Sequence, residues 1–116
     1  MQLKEIKTAR AQKMLVNRIM KELEERTGFF QGAKIKKNED GAYCSTIRIS
    51  NEYSNMLTFY QIDKAREVVK KYADKYGEGS IYAIMDTEPY LAKFGEVTDW
   101  LSRPVMEIAI WRKGEA

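Results

Sequence analysis

The sequence predicts a single α+β domain over residues 1–116: a mostly antiparallel sheet of four or five strands with two main helices packed on one face. Three observations lead there. Two segments carry apolar residues at the 3.6-residue period of a helix. Four or five others carry the alternation, or the short apolar runs, of strands. The order, α-β-β-(β)-α-β-(α)-β, is not a repeat of βα units, so the sheet is not expected to be parallel. The composition suits one core: 44% of the residues are apolar and 32% charged, with two prolines and no low-complexity tract. A chain of this length buries roughly two thirds of its unfolded surface.

The first helix spans residues 8 to 26. At 100° per residue, Thr8, Ala9, Leu15, Val16, Ile19, Met20 and Leu23 share one arc. Gln12 falls inside that arc as its one clearly polar member, and needs a hydrogen-bond partner if buried. Gly28 supplies the stop. Residues 29–37 and 42–50 alternate as two strands about the turn Asn38-Glu39-Asp40-Gly41. The alternation sets Ile35, Tyr43, Ile47 and Ile49 on one face, and Phe30, Lys34, Lys36, Thr46 and Arg48 on the other. Residues 51–55 form a loop, and 56–60 either a short third strand or the lead-in to the next helix.

That second helix covers residues 63–76, with Asp63 as N-cap and Gly77 after its last turn. Ile62, Ala65, Val69, Tyr72, Ala73 and Tyr76 line its core arc. Residues 80–86 are a nearly continuous apolar run and read as a strand buried on both faces. Residues 89–94 read as a short helix entered through Pro89 and ended by Gly95. Residues 96–104 read as irregular or as a turn of helix, and 105–112 as the final strand, with Pro104 just before it.

Charge carries most of the functional information. The net charge is +3, unevenly spread: residues 1–37 hold ten Lys/Arg against four Asp/Glu, residues 77–116 four against seven. Such asymmetry points to a nucleic-acid or acidic-protein surface, or to two ends that neutralise each other in the fold. Lys4, Lys7, Arg10 and Lys13 form an i,i+3 ladder, and the last three have no acidic residue three or four positions away. Their mutual repulsion would be relieved by phosphates, with release of counterions. Arg18 and Lys21 face Glu22 and Glu25 at i+4 and are expected to be matched locally.

The first expectation is therefore a binding protein without catalytic activity. It would hold nucleic acid mainly through phosphates at Lys4, Lys7, Arg10 and Lys13, with Lys34, Lys36 and Arg48 as a second patch and little reading of base edges. The alternative is a homo-oligomeric interaction or inhibitor module, of the kind viruses and mobile elements encode, docking on an acidic protein surface. A homodimer would use the outward sheet face, where Phe30, and with suitable register Tyr60 and Trp111, stand between basic residues.

A third reading is a carboxylate-metal phosphoesterase. Asp86 and Glu88 lie two residues apart, and Glu107 on the final strand would complete a Mg²⁺ site. Against it, no lysine follows Glu107 by two, and Asp86 or Thr87 would instead cap the short helix. The chain has no histidine, which removes Ser-His and Cys-His nucleophile pairs and His-bound metals. No phosphate loop, dinucleotide fingerprint or zinc spacing occurs, so no cofactor is expected. Cys44 is the single cysteine, so no internal disulfide can form. Lys71 with Glu67 reads as a surface i,i+4 pair. The N-terminus is charged and amphipathic and no apolar run reaches membrane-spanning length, so a cytoplasmic protein is expected.

Over residues 8–77 the expected order α-β-β-β-α resembles that of a double-stranded-RNA-binding domain. That family sets a basic pair at the start of its last helix. Here Lys70 and Lys71 lie in mid-helix, the helix opens Asp63-Lys64-Ala65-Arg66, and the strands after residue 77 have no counterpart. The resemblance is one of element order alone, and membership is not claimed.

Overall fold

The computed structural model describes residues 2–28, 33–38, 43–51 and 57–113. Helix α1 (Ala9–Leu23) runs on into a π-helical turn (Glu24–Gly28). Strands β1 (Ala33–Asn38) and β2 (Cys44–Asn51), helix α2 (Phe59–Tyr76) and strands β3 (Ile81–Phe94) and β4 (Val97–Trp111) follow. The sheet order is β1-β2-β4-β3 with every neighbour antiparallel. The two helices pack on one face of it, so the fold is the expected α+β class. The core joins Leu15, Val16, Ile19 and Leu23 of α1 and Ala65, Val68, Val69 and Tyr72 of α2 to the isoleucines of β2, β3 and β4.

Helix α1 starts where Thr8 Oγ1 accepts a hydrogen bond from the Ala11 amide at 3.0 Å. Thr8 is thus a cap, and it and Ala9 are exposed rather than part of the core. Gln12 is buried, and its Nε2 donates to the carbonyls of Tyr43 at 3.0 Å and Ile110 at 2.9 Å. One buried amide thereby satisfies two strand-end carbonyls and ties α1 to the ends of β2 and β4.

Helix α2 begins four residues before the expected cap at Asp63. Thr58 Oγ1 accepts from the Gln61 amide at 3.1 Å, while Gln61 Oε1 accepts from the Thr58 amide at 3.0 Å. This reciprocal capping box satisfies two donors that Asp63 would satisfy singly. Residues 57–60 therefore lead into the helix, and residue 56 of the expected stretch lies outside the described residues. Among the described residues no third strand separates β2 from α2, so these do not show the element order of a double-stranded-RNA-binding domain. The expected turn at 38–41 and strand residues 29–32 lie largely outside the described residues. Gly77 ends α2 at φ 101°, a backbone conformation L side chains rarely adopt.

The largest difference from expectation lies after residue 80. Residues 89–94 form no helix and 96–104 are not irregular: together they are the far half of one long hairpin, β3–β4, turning at Gly95 (φ 64°). Helical reading of 89–94 rested on Pro89 and Gly95 as boundaries. The hairpin instead uses Gly95 in its turn and gains cross-strand pairs such as Tyr90 with Leu101 and Leu91 with Trp100. Both prolines sit where a missing N–H is tolerable. Pro89 lies in the edge strand β3, and Pro104 just beyond Met106, where β4 leaves β2. Nor is 80–86 buried on both faces. β3 is an edge strand, and along it Ile81 is buried while Ile84 and Met85 are exposed.

The helices are clasped by Glu22 of α1, which accepts from Lys71 Nζ at 2.7 Å and from the Tyr72 hydroxyl at 2.9 Å. Lys71 thus pairs across to α1 rather than with Glu67, which pairs with Arg26 and Lys64. Burial pushes the Tyr72 phenol up, and the Glu22 carboxylate adds to it, so it titrates at about 12 instead of 10. Burial also works to raise the Glu22 carboxyl, but the bonds from Lys71 and Tyr72 and the Lys71 charge outweigh it and leave it below its ordinary 4.5.

The folded-state value of Tyr72 lies above the unfolded one. Its contribution is therefore intact below pH 10 and is lost as pH rises through about 12. Glu22 has the opposite sign: its contribution is present above pH 4.5 and is lost as pH falls through the depressed folded value. The denaturant midpoint is expected to fall between pH 10 and 12, by about 2–3 kcal/mol of stability if Tyr72 acts alone. In Tyr72→Phe that alkaline drop should be smaller. An equal drop in both proteins would show that Tyr72 is not its source.

Candidate nucleic-acid interface

The exposed face of α1 is opposite Gln12, Leu15, Val16, Ile19 and Leu23, and carries Arg10, Lys13, Met14, Asn17, Arg18 and Lys21. It contains no acidic side chain. The expectation that Glu22 and Glu25 match Arg18 and Lys21 is not met. Glu22 turns inward to Lys71 and Tyr72, and among the described residues neither Arg18 nor Lys21 forms an ion pair. Arg10 and Lys13 likewise have no ionic partner among the described residues. The helix thus shows a longer unmatched cationic stripe than its sequence spacing suggested. From Arg10 to Lys21 it extends about 16 Å at 1.5 Å per residue.

The rest of the expected ladder is arranged differently. Lys4 precedes the helix, in a segment pinned by its amide to the Lys75 carbonyl at 2.8 Å. Lys7 lies 3.8 Å from Glu5, which Lys113 also approaches at 3.3 Å. The Lys113 amide donates to the Ile6 carbonyl at 2.8 Å, so the start of the chain is held between the ends of α2 and β4. This gathers Lys4, Lys7, Lys75 and Lys113 beside the N-terminal end of α1. A cleft of about 320 Å³ opens there, lined by Leu3, Tyr76 and Trp111 among others. Sequence reasoning missed Lys75 and Lys113, because only the tertiary contacts bring them to this end.

Among the described residues the acidic C-terminal third forms no ion pair with the stripe. Asp86, Glu88 and Glu107 lie on the sheet face away from the helices, by strand alternation with the buried Ile108 and Ile110. Lys113 with Glu5 is the only ion pair joining the first and last segments among the described residues.

The second expected patch, Lys34, Lys36 and Arg48, does share that outward face, since Lys36 stands opposite Arg48 and Lys34 opposite Ser50. Arg48, however, is not available as a separate cation. Its Nε donates to Glu107 Oε1 at 3.1 Å, its Nη2 reaches the same oxygen, and its Nη1 donates to Glu88 Oε2 at 3.0 Å. Glu88 Oε1 in turn accepts from Arg103 at 2.7 Å. Two guanidinium groups and two carboxylates form one chain of matched charge across β2, β4 and β3. The hydrogen bonds that Arg48 donates to Glu107 raise its guanidinium above its already high value, against the opposing effect of burial.

The same network answers the metal reading. Glu88 and Glu107 converge, but on a guanidinium, where a divalent cation would have to stand. Asp86 instead accepts from the Thr87 amide at 2.8 Å within β3 and caps no helix. No three acidic or thiol groups are placed to hold a metal ion among the described residues.

Of the three residues expected to form a dimer face, the two that are described, Tyr60 and Trp111, lie on different elements. Phe30 is outside the described residues. Tyr60 is on the first turn of α2, not on the sheet, with the Lys64 ammonium 5.4 Å from its ring centre. Trp111 does lie on the outward face of β4, where its Nε1 donates to the Tyr82 hydroxyl at 2.9 Å. No helix among the described residues is long and apolar enough to cross a membrane. No protein-family model matches the chain, and neither does any curated protein or solved structure.

Proposed function

We propose that the protein binds nucleic acid through its phosphates, with the exposed face of α1 as the contact surface. The observation that carries this is the stripe of Arg10, Lys13, Arg18 and Lys21: four exposed cations with no acidic residue between them in sequence on that face and no ion pair among the described residues. Their span is about five base pairs at 3.4 Å of rise per phosphate along one strand. Lys4, Lys7, Lys75 and Lys113 extend the positive surface at the N-terminal end of the helix. Side chains of this kind fix a helix on a backbone and discriminate little between sequences.

Fluorescence anisotropy with a random-sequence duplex tests the reading. Affinity should fall steeply as salt rises. Exchanging Arg10, Lys13, Arg18 and Lys21 together for glutamine should weaken binding by on the order of 10²–10³-fold at low salt and flatten the salt slope by about 3–4. Lys34→Gln with Lys36→Gln should change it far less. Binding that is indifferent to salt, or to the fourfold exchange, overturns the proposal. An acidic protein surface, which the same stripe also suits, would then be the reading to pursue.

A further inference from the structure

The outer edge of β3 is open over one short window. In the β3–β4 ladder the Trp111 amide donates to the Ser80 carbonyl at 2.8 Å, and Ile81 stands opposite Ile110. Backbone groups of an antiparallel pair alternate in direction. Tyr82, Ile84 and Asp86 therefore bond to β4, while Ile81, Ala83, Met85 and Thr87 turn their backbone groups to the outer edge. Two of these groups are occupied within the chain. The Ile81 amide donates to the Gly77 carbonyl at 3.1 Å, and the Thr87 amide to Asp86 Oδ1 at 2.8 Å. Between these two closures, the Ile81 carbonyl and both backbone groups of Ala83 and Met85 have no partner among the described residues.

The other free edges are guarded. Beyond the Asp86–Val105 pair β4 no longer pairs with β2, and the hairpin runs on as a two-stranded ribbon. On its β3 side Pro89 lacks an N–H. On its β4 side Pro104 lacks one too, and the Trp100 amide donates to its neighbour Asp99 at 2.8 Å. The opposite edge strand of the sheet, β1, carries Lys34, Lys36 and Lys37. Residues 81–85, by contrast, hold no charge and no proline, and Ile84 and Met85 are exposed there. Such an edge is a template for another strand.

Beside this window a groove of about 430 Å³ runs between β3 and α2, with Val69, Ala73 and Ala83 as its apolar lining. Its helix side carries charges in a fixed order. Arg66, Lys70 and Asp74 follow one another at spacing four, and Glu78 comes in the turn after the helix. Lys70 lies 3.1 Å from Asp74, whereas Arg66 and Glu78 have no ionic partner among the described residues. The order positive, positive, negative, negative, set against its own reverse, matches a cation to each anion. It is thus complementary to itself when antiparallel, as a two-fold contact requires.

Strand and helix agree on one axis. α2 and β3 run in opposite directions from the turn at Gly77. Arg66 stands about 15 Å back along α2 from Tyr76, and Met85 about 14 Å on from Ile81, so Arg66 is level with Met85 and Glu78 with the start of β3. Pair two β3 edges antiparallel about Ala83. Each Ala83 then exchanges both backbone bonds with its counterpart, and each Met85 amide meets the other copy's Ile81 carbonyl. The same placement brings Arg66 of each copy to Glu78 of the other.

We propose that two copies of this chain dimerise by antiparallel addition of β3 to β3, giving one continuous sheet with the two α2 helices side by side. The occupant is a second copy rather than a foreign strand because the backbone window and the charge order both match their own reverse. The Lys-rich β1 edge keeps the assembly closed at two. The contact does not involve α1 and does not depend on what α1 binds.

Sedimentation equilibrium of the full chain should give twice the chain mass. Met85→Pro removes a donor that the single chain does not use, so it should give the single-chain mass with unchanged far-ultraviolet dichroism. Arg66→Glu and Glu78→Arg should each weaken the dimer by on the order of tenfold. An equimolar mixture of those two variants, in which every cation again meets an anion, should recover the wild-type affinity. In the unaltered chain, hydrogen exchange of the Ala83 and Met85 amides should slow as concentration rises. A monomeric wild type overturns the proposal, as does a mixture no tighter than either variant alone. So does a Met85→Pro protein that stays dimeric, or exchange at Ala83 and Met85 that is the same at every concentration. A mass that keeps rising above two chains overturns it as well, since a closed two-fold contact stops there.

Discussion

Replacing Ile108 with alanine lowers the unfolding free energy by about 3–5 kcal/mol. Ile108 is fully buried, and lies in register with Ile47 of β2 on one side and Ala83 of β3 on the other. Both helices pack over this part of the sheet, so little can move in to fill the space the side chain leaves. The comparison is Ile35→Ala. Ile35 is partly buried on the edge strand β1, and its loss should cost about half as much or less. Urea unfolding followed by dichroism gives both values. Near-equal losses would mean that β4 is not the central strand described here.

Arg48→Met should cost about 2–3 kcal/mol, which discounts the usual loss for a broken buried pair because the side chain is one third exposed. The exchange leaves Glu107 and Glu88, whose side chains are 17% and 18% exposed, without the guanidinium that both accept from. Most of the cost therefore comes from the Glu107 carboxylate, left unmatched in a partly desolvated place, since Glu88 keeps Arg103. Arg48→Met combined with Glu107→Leu should recover a large part of it, leaving Glu88 with Arg103. If the double variant is no more stable than the single, the network does not act as one unit. Because Arg48 also joins β2 to the root of the ribbon, the single variant should loosen β3 beyond Asp86, which hydrogen exchange would show first at Glu88 and Tyr90.

Local features were legible where one segment's own pattern decided the outcome. The apolar arc of α1 from Leu15 to Leu23, the Ile35, Ile47 and Ile49 face, the arc of α2 and the stop at Gly77 all follow from period and backbone preference. The need of Gln12 for a partner was legible as well, though not that Ile110, far along the chain, would provide it. The cap of α2 was misplaced because Asp63 alone is a good cap, whereas Thr58 and Gln61 succeed only as a pair.

Of the candidate site, Arg10 and Lys13 stood out in the sequence through their spacing. Arg18 and Lys21 did not, because Glu22 and Glu25 are suitable partners by distance along the helix. The side chain of Glu22 is drawn instead to Lys71 and Tyr72, a choice made by the packing of α2. Arg48 shows the converse: it reads as a free cation in its own strand and is matched by residues 40 and 59 positions later.

The sequence by itself determined the α+β class, both helices, the apolar arcs by which they pack and the cationic character of α1, since each depends on periodicity or composition within one segment. Only the tertiary structure decided which charges remain unmatched, that β4 lies inside the sheet, and that residues 81–111 form one long hairpin with an apolar ribbon. Those outcomes depend on which segments meet, and pairing energy between strands or ions is set by neighbours that are distant in the chain.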